Sequence, residues 1–168
     1  WHIGALSEGR YMSRGREWNT TRARKAVEEY AKQVFERVSR DPVGFDKGII
    51  IFGGDLFNSV SGYTSNGTSV KCDFTGDQQF QDSELLTIHF IDSLTPLFEK
   101  LDVYYVKGNH GGLHDFPLGR VINAHYRNDP KVTVNVFSKR AHVIKEGNVM
   151  FGFEHGASAE TKNTLPDR

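Results

Sequence analysis

Apolar residues recur at helical spacing in three parts of the chain. Residues 19–40 place them on one face, which predicts an amphipathic helix capped by one of the hydroxyl or amide residues at positions 19–21. Residues 83–101 show a second helical pattern, and Pro96 is expected to kink or divide that helix. Residues 117–128 predict a short third helix.

Strand-like patterns lie between and after these helices. The run "IIIF" at 49–52 predicts a strand buried on both faces, and "DVYYV" at 102–106 predicts a second buried strand. Residues 131–137 alternate and predict a third strand, and residues 140–155 predict a hairpin that turns at Glu146, Gly147 and Asn148. Residues 2–19 and 59–78 are rich in small polar residues, so the first is predicted as a loop and the second as a long loop excursion.

The order of these elements defines the expected fold class. A half in which helices and strands alternate is followed by a half rich in strands, which favours an α/β protein with a mixed sheet packed in layers. The length of 168 residues suits one domain, and 38% hydrophobic and 25% charged residues are ordinary for a globular chain. We therefore expect a single domain over residues 1–168.

Charge and cysteine content narrow the classes of partner and compartment. The net charge is zero, so the whole chain gives no electrostatic support for a nucleic-acid or membrane partner. No apolar run approaches the length of a membrane span. Cys72 is the one cysteine, which excludes an intramolecular disulfide and fits a reducing, cytoplasmic compartment. Cys72 has no histidine near it in sequence, and we do not expect it to be catalytic.

Side chains able to bind metals follow three of the predicted strands, each beside glycine. Asp55 follows the first strand, Asn109 and His110 follow the second, and His155 ends the hairpin. His2 is a further candidate at the start of the chain. In α/β sheets, ligands bind beyond the carboxyl ends of strands, so these side chains are expected to share one pocket.

The mixture of carboxylate, amide and imidazole indicates the kind of site. Such donors suit divalent first-row metals such as Mn²⁺, Fe²⁺, Zn²⁺ or Ni²⁺, whereas the lack of thiolates argues against structural zinc. One carboxylate can bridge two ions, and two-metal sites hydrolyse phosphate esters with metal-activated hydroxide. We therefore expect two divalent ions, with Mn²⁺ first among the candidates, and a phosphate-ester substrate.

Four segments, "HIG", "GGDLFN", "GNHG" and "FEHG", resemble the motifs of the calcineurin-like metallophosphoesterase superfamily. The resemblance implies a layered α/β/β/α sandwich flanked by helices and a hydrolase acting on phosphate mono- or diesters. It implies that Asp55 bridges both metals, that His2 binds the first, and that Asn109 and His155 bind the second. It further implies that His110 is the catalytic histidine that protonates the leaving group, and that Asn58 is structural.

The chain departs from the family pattern in three places. The resemblance implies an Asp immediately before Trp1 and a Gly-His-x-His after Arg168, so we expect residues 1–168 to be an incomplete domain, truncated at both ends, with weakened metal affinity. Gly111 stands where the family has an acid that orients the catalytic histidine. Asp115 or a backbone carbonyl could substitute for that acid, or His110 could be less basic.

The sequence does not single out one substrate. "GGDLFN" resembles the Gly-Asp-Leu-Phe-Asp of the family's DNA-repair nucleases, which favours a nucleic-acid phosphodiester. The neutral charge and the lack of a long basic and aromatic surface argue against it. Small phosphomonoesters, nucleotides and phosphoproteins remain alternatives, and the oligomeric state is not predicted. Basic residues of the loop after the first motif could border the site or simply be solvated; these are Arg10, Arg14 and Arg16.

Two other classes of protein remain as alternatives. A non-catalytic binding module on the same fold is favoured by Gly111, because fold alone does not guarantee chemistry. A Rossmann-like nucleotide binder ranks low, because no Gly-x-Gly-x-x-Gly follows a strand. Three histidines, His89, His125 and His142, are expected to have no chemical role. His114 is more ambiguous, because it lies four residues after His110 and could reach the pocket.

Overall fold

Helices and strands alternate through the first three-quarters of the chain, and a β-hairpin follows. The computed structural model describes residues 1–7 and 17–156. The helices are α1 (Thr20–Ser39), α2 (Gly76–Leu94) and α3 (Asp115–His125). The strands are β1 (Lys47–Phe52), β2 (Lys100–Tyr105), β3 (Val132–Val136), β4 (Ala141–Glu146) and β5 (Val149–Glu154). The predicted α/β class is confirmed.

The described strands form two separate sheets. Strands β1, β2 and β3 are parallel in that order, with Lys47 opposite Lys100 and Phe52 opposite Tyr105. Strands β4 and β5 form an antiparallel pair on their own. The expectation of one mixed sheet is therefore wrong for the described residues, because the hairpin satisfies its ladder internally and adds no strand to the parallel sheet.

Helix α1 begins and packs as its pattern predicts. The Asn19 side chain accepts a hydrogen bond from the Arg22 amide at 3.0 Å and caps the first turn. Ala23, Val27 and Ala31 recur on one face and are buried in the core. Tyr30 belongs to the predicted apolar face but is 55% exposed, where it stacks on Phe90 at the edge of the core.

Helix α2 is displaced along the chain from its prediction. It begins at Gly76, within the predicted loop excursion, because Thr75 and Gln78 form a capping box. The first turns are polar, so apolar spacing gives no sign of this start. Pro96 lies in a 3₁₀ turn that follows the helix, and Leu101 already belongs to β2. The predicted helical continuation to residue 101 is therefore wrong.

Strand β1 lies at the edge of the parallel sheet. It was predicted to be buried on both faces, yet Ile51 is 41% exposed and Ile49 and Ile50 are half-buried. An apolar groove of about 330 Å³ runs beside it, lined by Trp1, the β1 isoleucines and residues of α1 and α2. The prediction fails because β1 pairs with β2 on one side only among the described residues.

The hairpin is attached to the parallel sheet through charge and aromatic contacts. Lys47 Nζ lies 2.7 Å from both Asp102 Oδ2 and Glu146 Oε2, which joins β1, β2 and β4. The Tyr104 ring packs against Phe137 and Phe153, with centroids 6.3 and 6.0 Å away. These contacts set where the end of β5, and hence His155, lies. Within the described ranges, no helix has the length and apolar character to cross a membrane.

Candidate metal centre

The five predicted site residues lie together beyond the ends of β1, β2 and β5. His2 reaches them because the chain start runs parallel to the segment after β1. The His2 amide donates to the Asp55 carbonyl at 2.9 Å and the Ile3 amide donates to Leu56 at 2.9 Å. The strand ends therefore converge as the sequence predicted, although the residues are far apart along the chain.

Asp55 lies at the centre of the group. Its Oδ1 accepts hydrogen bonds from the backbone amides of His110 at 2.7 Å and Gly111 at 3.3 Å. Its Oδ2 lies 2.9 Å from His155 Nε2 and 4.0 Å from His2 Nε2. The residue is buried and holds φ at 54°, a left-handed conformation that is costly for a residue with a side chain. Hydrogen bonds from backbone amides thus hold Oδ1 of Asp55 in place, while Oδ2 faces His2 and His155.

Electron-pair donors converge where His155 meets Asn109 and Asp55. His155 Nδ1 lies 2.6 Å from the Gly53 carbonyl oxygen, so Nδ1 carries the hydrogen and donates it. In the neutral ring, Nε2 then has only a lone pair. It lies 2.7 Å from Asn109 Oδ1 and 2.9 Å from Asp55 Oδ2. Three lone pairs this close repel one another unless a cation lies among them, either a proton on Nε2 or a metal ion.

A second group of donors shares the Asp55 carboxylate. One ring nitrogen each of His2 and His110 and a carboxylate oxygen of Asp55 all lie within 4.8 Å of one another, and this group could hold a metal ion. Burial, the largest cause, lowers the pKa of His2 to about 4, so its ring is neutral at pH 7 and offers a lone pair. His2 also has positive φ, at 48°. Asp55 therefore belongs to both groups.

The orientation of His110 is set by Asn58. His110 Nδ1 lies 3.1 Å from the Asn58 carbonyl oxygen and 3.0 Å from Asn58 Oδ1. The Asn58 amide nitrogen donates to the Lys71 carbonyl at 3.1 Å and to Cys72 Sγ at 3.3 Å, which turns Oδ1 toward the histidine. With two acceptors at Nδ1, that nitrogen carries hydrogen and Nε2 is left for a metal or a substrate. This explains the structural role expected for Asn58 and gives Cys72 a packing role.

Asp115 supports the loop that carries Asn109 and His110. It is fully buried, and its Oδ2 accepts a hydrogen bond from the Gly108 amide at 2.7 Å. Burial raises the pKa of Asp115 to about 6, opposed in part by that amide bond. No hydrogen bond joins Asp115 to His110 among the described residues. Asp115 therefore does not orient the histidine directly. The expected alternative, a backbone carbonyl, is found: the carbonyl of Asn58 and its side-chain oxygen both contact His110 Nδ1.

The remaining sequence candidates fall into three groups. His114 lines a polar cavity together with His110. His142 stacks on Phe137 and His125 packs against Tyr126. Three basic residues, Arg10, Arg14 and Arg16, lie outside the described residues. The sequence reasoning missed the Gly53 carbonyl that fixes the tautomer of His155, since a backbone acceptor leaves no mark on residue identity.

Known proteins add nothing to this geometry: no family model, curated protein or solved structure matches the chain. The motifs and the contacts among these side chains are therefore what indicates the function.

Proposed function

We propose that the protein is a dinuclear metal-dependent phosphoesterase of the calcineurin-like type, on a layered α/β/β/α fold. The observation that carries the proposal is the close approach of His155 Nε2, Asn109 Oδ1 and Asp55 Oδ2, at 2.7 and 2.9 Å. Ligands bound side by side to one metal at ~2.1 Å are about 3 Å apart, so this spacing fits a shared ion. The single cysteine supports a reducing, cytoplasmic setting.

Each residue has a definite part in this proposal. His2, Asp55, Asn109 and His155 would hold two divalent ions, and Asp55 would be the ligand that the two ions share. The mixed nitrogen and oxygen donors favour Mn²⁺, with Fe²⁺, Zn²⁺ and Ni²⁺ as alternatives. Bound ions of this kind polarise a phosphoryl group and supply hydroxide at neutral pH.

His110 would act on the leaving group. Asn58 holds the hydrogen of its ring on Nδ1, so that Nε2 takes up a second proton and gives it to the departing alkoxide. The ring packs edge to face on His2, with centroids 4.4 Å apart, which keeps Nε2 beside the ligands of the first ion.

Hydrolysis of bis-p-nitrophenyl phosphate by the full-length gene product with added Mn²⁺ tests the proposal. We expect turnover that is lost in Asp55→Asn, together with loss of Mn²⁺ binding in calorimetry. Asp92→Asn is the matched control, because Asp92 is bonded to the Tyr126 hydroxyl and is not part of the site. Asp92→Asn should retain both properties.

Two other results would replace the proposal. Mn²⁺ binding that depends on Asp55, without turnover under Mn²⁺, Fe²⁺, Zn²⁺ or Ni²⁺, would favour the non-catalytic binding module. Mn²⁺ binding unaffected by Asp55→Asn would refute the metal site itself.

A further inference from the structure

A polar cavity of about 380 Å³ opens beside His110. One wall is formed by residues 59–65 of the long excursion and the other by residues 110–114. The two walls are joined by the Ser65 amide, which donates to the Asn109 carbonyl at 2.8 Å. The volume is at the lower end of the range for small-molecule sites, ~300–1,000 Å³, and suits a group about the size of a nucleotide.

The lining of this cavity favours an anionic ligand. Among the residues that the structure describes, the lining includes Lys107 but no aspartate or glutamate. Lys107 is half-buried, and its ammonium forms no ion pair with any residue that the structure describes. Arg140 adds a second positive charge at the same wall, where its Nη2 donates to Ser65 Oγ at 2.9 Å. Four hydroxyl residues complete the polar lining: Ser59, Ser61, Thr64 and Ser65.

Two apolar side chains at the cavity are left open to solvent. Tyr63 is 56% exposed and Leu113 is 81% exposed, one on each wall. Neither belongs to the buried core, so folding does not account for them. An exposed aromatic ring and a lysine that line the same cavity suit a ligand that combines a flat base with phosphate, because bases stack on aromatic rings.

We propose that this cavity binds the nucleotide leaving group of a phosphodiester, with Lys107 contacting a phosphate adjacent to the scissile one and Tyr63 stacking on the base. The proposal rests on the proposed function, since His110 places the cavity on the leaving-group side. In hydrolysis, hydroxide forms the new phosphorus–oxygen bond and the ester bond to the nucleotide breaks. The proton from His110 passes to the departing oxygen, so atoms and charge balance without a further reactant.

Binding and kinetics test the cavity separately from the metal centre. The dinucleotide pdTpdT is titrated into the protein in EDTA, and hydrolysis of pdTpdT and bis-p-nitrophenyl phosphate is measured with Mn²⁺. Tyr63→Ala and Lys107→Ala should each weaken pdTpdT binding by about tenfold or more. Both variants should lose much less activity on bis-p-nitrophenyl phosphate than on pdTpdT, because that substrate has no second phosphate for Lys107 to contact and only a small ring for Tyr63.

Conservative variants and salt dependence distinguish recognition from structure. Tyr63→Phe keeps the ring and should restore binding, whereas the exposed-lysine control Lys145→Ala should leave it unchanged. Loss of one phosphate contact in Lys107→Ala should reduce the slope of log affinity against log salt by about 0.7. An unchanged slope, or equal loss on both substrates, would overturn the proposal, as would tighter binding of a phosphoseryl peptide than of pdTpdT. Failure of wild type on bis-p-nitrophenyl phosphate would instead count against the proposed function.

Discussion

The carboxylate of Asp115 occupies the space in which a side chain at Gly111 would begin. A β-carbon at residue 111 would overlap both carboxylate oxygens of Asp115, which is fully buried and bonded to the Gly108 amide. Positions 111 and 115 are four residues apart in sequence, and their side chains would occupy the same volume. Only one of the two positions can therefore hold an acid. Glycine at 111, where the motif that "GNHG" resembles has an acid, is therefore required by the acid at 115.

Gly111→Ala should destabilise the folded chain by about 1–3 kcal/mol, because the added methyl group meets a carboxylate that has no room to move. The measurement is urea unfolding in EDTA. Gly152→Ala is the matched control: it lies on the hairpin, where the added methyl group would make only an ordinary contact with Val143 at 4.0 Å, and should change the free energy of unfolding by less than about 0.5 kcal/mol. In an Asp115→Ala background, Gly111→Ala should lower the free energy of unfolding by less than it does in wild type. If the effects of the two substitutions on that free energy simply add, the two side chains do not compete for the same space.

Asp115→Asn should change how stability depends on pH. The pKa of Asp115 rises from 3.8 to about 6 on folding, so between these values the folded chain holds a proton that the unfolded chain releases. Stability from this group is therefore present below pH 4 and is lost as the pH rises to about 6, by up to about 3 kcal/mol. The lowered pKa of His2 acts in the opposite direction, since its contribution falls as the pH falls through the same range.

The comparison of Asp115→Asn with wild type removes the His2 contribution, which both proteins share. Measured by urea unfolding in EDTA, the stability of the variant relative to wild type should increase from pH 4 to pH 6.5. A difference that stays constant over that range would show that folding does not raise the pKa of Asp115.

Lys47→Met should loosen the hairpin that carries His155 toward the site. Lys47 bridges Asp102 and Glu146 at 2.7 Å, but its side chain is 33% exposed, so the loss in unfolding free energy should be no more than about 1 kcal/mol. If the salt bridge holds the hairpin against the parallel sheet, its loss should lower the Mn²⁺ affinity measured by calorimetry by up to about fivefold. The exposed-lysine variant Lys145→Met is the control and should bind Mn²⁺ as wild type does. If Lys47→Met also binds Mn²⁺ with wild-type affinity, the salt bridge does not help to position the metal site.

His155→Ala should weaken Mn²⁺ binding by at least about tenfold, because it removes the nitrogen that faces Asn109 and Asp55. His142→Ala is the matched control on the same hairpin. It should lose packing against Phe137 and some stability, yet keep its Mn²⁺ affinity in calorimetry. Equal loss of affinity in the two variants would mean that the hairpin, and not the His155 ring, supports binding.

The sequence could predict those site residues that lie at the ends of strands. Asp55, Asn109 and His155 each follow a strand that apolar runs reveal, and carboxyl ends of strands converge by the geometry of the sheet. The order of helices and strands is predictable for the same reason. Polar capping at Thr75 displaced the start of α2, however, because a hydrogen-bonded cap needs no apolar spacing.

Contacts between distant residues could not be predicted in the same way. The two-sheet arrangement depends on which strands pair, and the burial of β1 depends on what lies beside it. Asn58 orients His110 from 52 residues away through two oxygens, one of them in the backbone. Such contacts depend on the folded structure. The motif "GGDLFN" shows only that an asparagine is present at position 58, and not which residue it contacts.

Anomalous X-ray diffraction from crystals of the protein grown with Mn²⁺ would test the metal centre most directly. We expect two peaks ~3.5–4 Å apart on either side of Asp55, one beside His155 and Asn109 and the other beside His2. Saturating Mn²⁺ with no peak within about 3 Å of Asp55 Oδ2 would contradict this expectation.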